Sequence, residues 1–492
     1  MRTTAIAFAS ALIGIAVSHA EVSRIFRLDG TSIAPSDADT TVTRLMKAAE
    51  VPGVGIAVFR HGRVTYIKAS GFRDVERKLP LTPDTVMTAA SFTKVAFAYL
   101  CMKLVDEGRL DLDKPVVQFL PKPLPEYPQY ADLAGDRRYE RITARMLLSH
   151  TSGLPNWRAL EDDRKLKIHF EPGSRYAYSG EGFVLLQLVV ESITGEPLEP
   201  LMQREVFRPL GMTRTSMMWQ SRFDDDFANG YDEYSRSLGP QKRKTADSAG
   251  SMQTTLRDFS AFLQAIATGK GLSGRAREEM LRPQIRIFSK RQFPTLENRN
   301  TDENQAIRLS YGLGWGLYWT PYGKAFFKEG HDEGWRNYTV MFDRSGIGIL
   351  IMTNSGNGEG IFKEVIEKLL ANPFTPIEWE GFTPYNELAP RPPLPAHTRV
   401  AIDPSLLDKY AGRYSVPPNI IITIRRAGDH LTVQENDEAV QELLPQSATE
   451  FFSTVADDVY RFETDAQGRV TKMILLTGGS EIPIARLDQV SH

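Results

Sequence analysis

A proline-dense segment divides this chain into two parts of different character. Residues 388–395 read LAPRPPLP, and such a run fits neither a helix nor a central strand because proline fixes φ and donates no backbone hydrogen bond. Strand-like runs and long apolar helical segments are mixed before it, whereas only short strand-like runs follow residue 400. The pattern predicts an α/β (α+β) domain over residues 21–384, a stiff linker over 385–399 and a small antiparallel β-barrel over 400–492.

Two pairs of apolar runs predict β-hairpins near the two ends of the first domain. Residues 54–59 and 64–67 form one pair, and residues 338–342 and 347–352 form the other, each with a short turn between its members. Helical segments lie between the two pairs. We therefore expect the two ends of the domain to meet in one antiparallel sheet flanked by helices.

The first twenty residues have the composition of a secretory signal. Arg2 precedes an apolar run over residues 5–17, which is too short to span a bilayer, and Ser18 and Ala20 are small residues where a signal peptidase would read them. We predict a signal peptide over residues 1–20, with a buried N-terminal helix as the alternative. No later stretch has the apolar length of a membrane span, so the mature protein is expected to be periplasmic or secreted in a bacterium.

The charge balance and the single cysteine exclude several classes of function. Lys+Arg 59 against Asp+Glu 61 gives a net charge of −2, so the chain lacks the cationic excess that nucleic acids require. Cys101 is the only cysteine, which excludes an internal disulfide and any multi-cysteine metal site. The eight histidines include no His-x-x-x-His pair for zinc. A small-molecule or peptide substrate is the expected partner, and Cys101 is expected to be a small buried hydrophobic residue.

Ser91 and Lys94 carry the most specific chemistry, at the start of an apolar segment that ends at Gly108. Three residues along a helix is nearly one turn, so we expect the Lys94 amine beside the Ser91 hydroxyl. Burial there would lower the pKa of the amine until it can act as a base. A serine at a helix N-terminus also leaves its own N–H free for a developing oxyanion. The alternative is a helix-capping Ser91 with a surface Lys94.

Two further segments hold side chains that could complete such a site. Tyr178 precedes an apolar helix predicted over residues 183–193, and a loop tyrosine near cations can shuttle a proton. His331 precedes the strand at 338–342 and is expected to face Tyr178, while a backbone N–H near Gly334 would complete an oxyanion hole. Taken singly, a loop tyrosine is more often a packing residue, and a lone histidine is more often structural.

The order of these three segments resembles that of a known family. Tyr178-x-Gly follows Ser91-x-x-Lys by 87 residues, and His331-x-x-Gly follows after another 153. This order resembles the serine hydrolases that include class C β-lactamases, DD-carboxypeptidases, D-aminopeptidases and family VIII esterases. Four other stretches are similar to the same family: residues 110–116, 147–154, 311–316 and 353–358. The resemblance covers about residues 35–370, and the C-terminal part is similar to the lipocalin-like barrel appended to many such hydrolases.

The resemblance implies a fold and a mechanism. The fold is an antiparallel sheet flanked by helices, with an all-helical subdomain, as in β-lactamases and transpeptidases. In the mechanism, Lys94 and Tyr178 deprotonate Ser91, which attacks a carbonyl carbon, and water later releases the acyl group. The N–H groups of Ser91 and of a residue near Gly334 hold the oxyanion, and no metal or organic cofactor is needed. His150 belongs to a structural turn in this family, and the competing Gly-x-Ser-x-Gly pentapeptide does not occur.

Two departures from the family pattern bear on the substrate. Gly180 stands where members that act on β-lactams or peptides commonly have asparagine, whose amide contacts the acyl-side amide of the substrate. The usual third motif is Lys or His, any residue and Gly, but Glu333 occupies the third place here and Gly334 comes one later. A side chain at Glu333 is expected to narrow the cleft or to shift the strand register by one residue. We therefore rank efficient β-lactam hydrolysis below ester or peptide hydrolysis.

Two alternatives to an active enzyme remain open. A catalytically weak or inactive penicillin-binding-protein-like relative could bind cell-wall peptide in the cleft or act as a scaffold, although the intact Ser91 and Lys94 favour an enzyme. The C-terminal barrel could itself bind the ligand, but small barrels fill their interiors with side chains, which favours a covering or dimerising module. The sequence leaves the oligomeric state open.

Overall fold

A computed structural model describes residues 24–487 apart from 297–298, 392, 394–395, 417–419, 437–439 and 478–479. The predicted signal peptide at residues 1–20 lies outside the described residues, as does part of the predicted linker. Over the described ranges, no helix is both long enough and apolar enough to cross a membrane.

The first domain alternates strands with helices along the chain. Its strands are β1 (Ile25–Phe26), β2 (Ser32–Ile33), β3 (Gly53–Arg60), β4 (Arg63–Asp74), β5 (Leu79–Pro80), β6 (Met87–Thr88), β7 (Gly230–Tyr231), β8 (Ser237–Gly239), β9 (Gln253–Thr254), β10 (Ile285–Arg286), β11 (Ser310–Tyr311), β12 (Gly316–Thr320), β13 (Gly323–Asp332), β14 (Trp335–Phe342) and β15 (Gly348–Thr353). Its helices are α1 (Pro35–Ala48), α2 (Phe92–Asp106), α3 (Ala144–Leu148), α4 (Gly180–Thr194), α5 (Leu198–Met202), α6 (Arg208–Leu210), α7 (Leu256–Thr268), α8 (Gly274–Met280), α9 (Phe362–Leu370) and α10 (Ile377–Glu380).

An antiparallel sheet forms the centre of this domain. In the described part of the chain it has nine strands, in the order β10-β11-β12-β13-β14-β15-β3-β4-β5. The two ends of the domain meet where β15 pairs with β3, so that Ile351 lies opposite Ile56. Both predicted hairpins are confirmed as β3–β4 and β14–β15. The first turns at His61 and Gly62, both with positive φ, which suits the right-handed twist of the strands it joins.

Helices cover both faces of the sheet, which explains why its central strands are apolar without alternation. Ala57 and Leu350 pack in one core with α2 and α7, whereas Ile56 and Ile351 pack in a second core with α1 and α9. Successive strand residues point to opposite faces, so a strand between two cores needs apolar side chains at every position. All residues of β14 and β15 are buried accordingly.

The helix predicted after Ser91 is α2, and it is buried on all sides. Every residue from Phe92 to Met102 is inaccessible or nearly so, including Cys101. The segment beginning at Phe183 is likewise helical, as α4, and Gly195 ends it in the left-handed conformation with φ 71°. Helix α2 packs against strand β13 and against helix α8, and residues of its first turn border a cleft.

The C-terminal region forms a closed barrel, as predicted. After α11 (Pro404–Tyr410), the described residues form eight antiparallel strands: β16 (Gly412–Val416), β17 (Ile420–Ala427), β18 (His430–Glu435), β19 (Gln441–Pro445), β20 (Glu450–Ser453), β21 (Val459–Thr464), β22 (Val470–Thr477) and β23 (Ser480–Arg486). Pairing of β16 with β23 closes the barrel. Its interior is filled by apolar side chains such as Tyr414, Phe451 and Met473, as expected for so few strands.

Candidate active site

Ser91 lies immediately before the first turn of α2, where its hydroxyl borders the main cleft. The preceding residue, Ala90, has φ 50°, a conformation that costs about 1–3 kcal/mol for a residue with a Cβ and is typical of functional sites. The Lys94 amine lies 3.1 Å from the Ser91 hydroxyl oxygen. The helical spacing thus places the amine beside the hydroxyl, as the sequence predicted.

The surroundings of Lys94 favour a neutral amine. The side chain is fully buried, and the amine donates a hydrogen bond of 2.6 Å to the carbonyl of Ala249. Burial disfavours the charged form, and the positive charge of Lys328 disfavours it further, so the pKa of Lys94 falls to about 7. An amine with this pKa can accept a proton from Ser91 near neutral pH.

Tyr178 lies just before α4, on the other side of the nucleophile. Its ring lies 5.0 Å from the Lys94 amine, and its phenol shares a hydrogen bond with the Ser91 hydroxyl. Burial raises the pKa of Tyr178 well above its ordinary value, and the carboxylate of Glu329 adds to this. The phenol therefore keeps its proton at neutral pH and can donate it to a leaving group.

Lys328 is the functional side chain that the sequence analysis missed. It is fully buried on β13, and its amine lies 3.2 Å from the Tyr178 hydroxyl, the place expected for His331. The sequence contained a usable indication, because Lys328-Glu329-Gly330 fits the pattern of Lys, any residue and Gly. The motif lies three residues before His331 on the same strand, β13, which ends at Asp332.

A buried carboxyl pair lies behind Lys328. Glu329 forms an ion pair with Lys328 and accepts a hydrogen bond of 3.1 Å from the amide of Gln292. Glu380, on α10, is fully buried near Glu329 and has no cationic partner of its own among the described residues. Burial, and then the charge of Glu329, raises the pKa of Glu380 well above its ordinary value. Glu380 is therefore a neutral acid, and Glu329 is the single countercharge of Lys328.

Backbone N–H groups are available next to the nucleophile. Within the described part of the chain, the N–H of Ser91 donates to no backbone carbonyl. Strand β13 pairs with β12 only as far as Phe327, so the edge of β13 beyond that residue faces the cleft. Gly330 brings this edge close, because a Cβ at Gly330 would lie 2.7 Å from the carbonyl oxygen of Ala89. Ser91 and the open edge of β13 together form a candidate oxyanion hole.

Gly334 and Glu333 lie away from this position, which corrects two expectations. Gly334 turns the chain between β13 and β14 with φ 73° and packs against Gly230 and Tyr231, so it is not beside Ser91. Glu333 belongs to the same turn, and the pairing of β13 with β14 runs without a register shift up to the last pair, Asp332 with Trp335. A two-residue turn accommodates the extra side chain without moving the strands.

His331 lines the cleft but has a different partner from the one expected. Its Nδ1 lies 3.5 Å from a carboxylate oxygen of Glu359, and its side chain is about half exposed. Partial burial of the ring, followed by the charge of Arg336, lowers the pKa of His331 to about 4. The imidazole is therefore neutral at physiological pH. His331 was expected to face Tyr178, but the register of β13 directs Lys328 toward Tyr178 instead.

Gly180 and His150 both have structural explanations. A Cβ at Gly180 would lie 2.6 Å from two ring carbons of Trp157, so the tryptophan fills the space that an asparagine side chain would need. His150 is fully buried beneath Tyr178, with ring centroids 4.3 Å apart, and its Nδ1 accepts a hydrogen bond of 3.1 Å from the N–H of Ser179. His150 thus supports the loop that carries Tyr178.

The cleft around Ser91 is large and is bordered by both domains. Its volume is about 1640 Å³. Residues of the barrel, including Ile421 and Thr423, line it together with Ser91, Lys94 and Tyr178. A cleft of this size admits a substrate considerably larger than a simple ester.

Each of the two parts of the chain matches the profile of a known protein family or domain. The profile of the Beta-lactamase family matches residues 38–370, which is more than half of the chain. A profile described as a domain of unknown function (DUF3471) matches residues 396–484. The two matched ranges correspond to the sheet-centred domain and the barrel.

Individual relatives extend the comparison. Esterase EstB of Burkholderia gladioli is 32% identical over 213 residues, which is 38% of this chain and 52% of that protein. Penicillin-binding protein 4* of Bacillus subtilis is 23% identical over 85% of this chain and 92% of that protein. The match to Protein flp of Staphylococcus aureus spans 40% of that protein's length. The solved octameric penicillin-binding protein homologue from Pyrococcus abyssi shares the fold, with a TM-score of 0.56 at 22% identity over 91% of this chain and 99% of that chain.

Proposed function

Because the chain belongs to the beta-lactamase family of serine hydrolases, we propose that it hydrolyses esters or amides through an acyl-enzyme on Ser91. The observation that carries the proposal is the position of the Ser91 hydroxyl, 3.1 Å from a fully buried amine of Lys94 whose pKa is about 7. A buried neutral lysine beside a serine has little structural purpose, but it activates a nucleophile.

The proposed reaction has two steps with balanced proton transfers. In the first, Ser91 Oγ bonds to the carbonyl carbon, its proton moves to Lys94, and the carbonyl oxygen becomes an oxyanion held by backbone N–H groups. The oxyanion collapses, the C–O or C–N bond breaks, and the leaving group takes a proton that Tyr178 relays from Lys94. In the second step, water gives a proton to Lys94 and attacks the acyl carbon. The bond between the acyl carbon and Ser91 Oγ then breaks, Lys94 returns the proton to Ser91 Oγ, and a carboxylic acid is released.

The substrate class that we propose is an ester or a peptide amide in preference to a β-lactam. The missing asparagine at Gly180 removes a contact to the acyl-side amide of the substrate, and Trp157 fills that space. The similarity to a relative named esterase EstB supports an ester as the substrate. Competition with a fluorescent penicillin tests the ranking: fast, sustained turnover of the penicillin would overturn it.

Labelling of Ser91 tests the central proposal. Purified protein is treated with a fluorophosphonate and, separately, with p-nitrophenyl esters, and intact mass and hydrolysis are recorded together. We expect one adduct at Ser91, no adduct and no turnover in Ser91→Ala, and wild-type behaviour in Ser36→Ala, a surface control on α1. Absence of both the label and Ser91-dependent turnover would refute the proposal that the protein is a hydrolase. It would favour a penicillin-binding-protein-like scaffold that binds cell-wall peptide.

We also propose that the protein is exported to the bacterial periplasm or beyond. The support is the apolar run over residues 5–17 between Arg2 and Ala20. N-terminal sequencing of the protein recovered from a periplasmic fraction should begin at Glu21. Recovery of the full chain only from the cytoplasm would overturn this proposal.

A further inference from the structure

The loop that fills the space beside Gly180 is rigidly attached to α4. The carbonyl and the side-chain oxygen of Asn156 each accept a hydrogen bond of 3.1 Å from the N–H of Gly180. On the other side of Trp157, the backbone N–H of Arg158 donates to the carboxylate of Glu181 at 3.0 Å, and the two side chains form a buried ion pair. Trp157 is therefore held between two anchored residues, next to the helix that Tyr178 precedes.

Trp157 presents its ring to the cleft instead of to a core. Its side chain is 37% exposed, and Leu160, three residues later, is 74% exposed. Both residues line the same cleft as Ser91, and the Trp157 ring centroid lies 6.0 Å from the Lys94 amine. Two large apolar side chains held in water at the edge of a reaction site gain free energy when an apolar group covers them.

We propose that Trp157 and Leu160 form an apolar subsite that binds the acyl group of the substrate, so that the preferred substrates are esters of alkanoic or arylalkanoic acids. This inference rests on the proposed function and names its substrate class. The subsite occupies the place of the asparagine amide and presents a ring face and an isobutyl group. Such a surface favours the binding of a hydrocarbon acyl chain. It provides no side-chain hydrogen bond from residue 180 to an amide of the substrate.

The physical consequence is a dependence of rate on acyl-chain length. Each methylene that leaves water for an apolar surface gains about 0.8 kcal/mol, which is about a fourfold factor in kcat/KM when the contact persists into the transition state. Butanoyl and hexanoyl esters should therefore be hydrolysed faster than the acetyl ester, up to the length at which the chain has passed Leu160.

The experiment compares p-nitrophenyl acetate, butyrate and hexanoate on four proteins. In wild type, kcat/KM should rise from acetate to hexanoate by at least about tenfold. In Trp157→Ala this rise should fall to less than about threefold, mainly through a higher KM for hexanoate. Trp157→Phe should retain most of the rise. Phe288→Ala, which removes a comparably exposed ring outside the cleft (45% exposed against 37%), should behave as wild type.

Fluorophosphonate labelling of Ser91 in each variant separates the possible failures. If Trp157→Ala is labelled at the wild-type rate and keeps the full rise with chain length, the subsite is refuted and the hydrolase stands. If wild type shows no rise with chain length, the subsite is refuted as well. If wild-type Ser91 is neither labelled nor acylated, the proposed function fails and the subsite fails with it. Thermal unfolding of each variant shows whether it is folded. If Trp157→Ala is not, Leu160→Ala takes its place, because Leu160 is 74% exposed in the same cleft; this variant should also reduce the rise with chain length, and a full rise would refute the subsite.

Discussion

The pKa of Lys94 predicts a specific pH dependence of hydrolysis. With a pKa of about 7, about three-quarters of the amine is neutral at pH 7.5, against about one part in a thousand for a lysine at its ordinary pKa of 10.5. Because the neutral amine is the base, kcat/KM should be constant above about pH 8 and should fall tenfold per pH unit below about pH 6. At pH 5 it should be about one-hundredth of its plateau.

Variants assign this dependence to Lys94. Lys94→Met removes the base, so kcat/KM should fall by about 10²- to 10⁴-fold and the residual activity should lose the acid limb. Lys94→Arg keeps a cation that cannot deprotonate and should be as inactive. His331→Asn should retain the limb, because the His331 pKa of about 4 lies far below it.

The assay is initial-rate hydrolysis of a p-nitrophenyl ester from pH 5 to pH 9 at constant ionic strength, with far-UV circular dichroism at both extremes. Tyr178 cannot produce the same limb, since burial raises its pKa well above the ordinary value. A profile that is flat over this range, or a limb near pH 10, would refute the argument that burial and Lys328 depress the Lys94 pKa.

Three further predictions follow from buried groups around the site. Lys328→Met should lower kcat/KM for the ester at least about tenfold more than His331→Asn does, because Lys328 contacts Tyr178. Equal losses in the two variants would contradict the assignment of Lys328, in place of His331, as the partner of Tyr178. Glu380 has a folded-state pKa raised by burial, so its stabilising contribution is present below about pH 4.5 and is lost as pH rises. The Tm of Glu380→Gln relative to wild type should therefore increase between pH 5 and pH 8, and a decrease would contradict a neutral Glu380. Burial raises the pKa of the Cys101 thiol, so an aromatic disulfide reagent should titrate no thiol in native protein and one in guanidinium chloride.

Features set by local periodicity were predictable from the sequence. The hairpins at β3–β4 and β14–β15 have strong apolar runs and short turns, and α2 has an apolar segment that ends at a glycine. The Ser91–Lys94 contact depends only on helical spacing. Each of these features is decided within about twenty residues, so the sequence pattern contains the information that determines it.

Features set by packing between distant segments were not predictable in the same way. Lys328 meets Tyr178 across 150 residues, and the register of β13 decides which side chain of that strand faces the phenol. The Lys-x-Gly pattern at 328–330 was available, but the segment is polar and did not resemble a buried strand. The filling of the space beside Gly180 by Trp157 depends on a loop conformation that no periodicity encodes.

The charges of the buried groups around this site are arranged in a way that suits acyl transfer. Lys94, Lys328, Glu329 and Glu380 are all buried, so a net charge among them would be strongly disfavoured. Neutrality results when Lys328 pairs with Glu329 while Lys94 is an amine and Glu380 an acid. When Ser91 attacks, Lys94 becomes an ammonium as the oxyanion forms beside it, so the added charges appear as a pair. The transition state thus keeps the site neutral, and removal of either lysine would leave a buried charge unbalanced during the reaction.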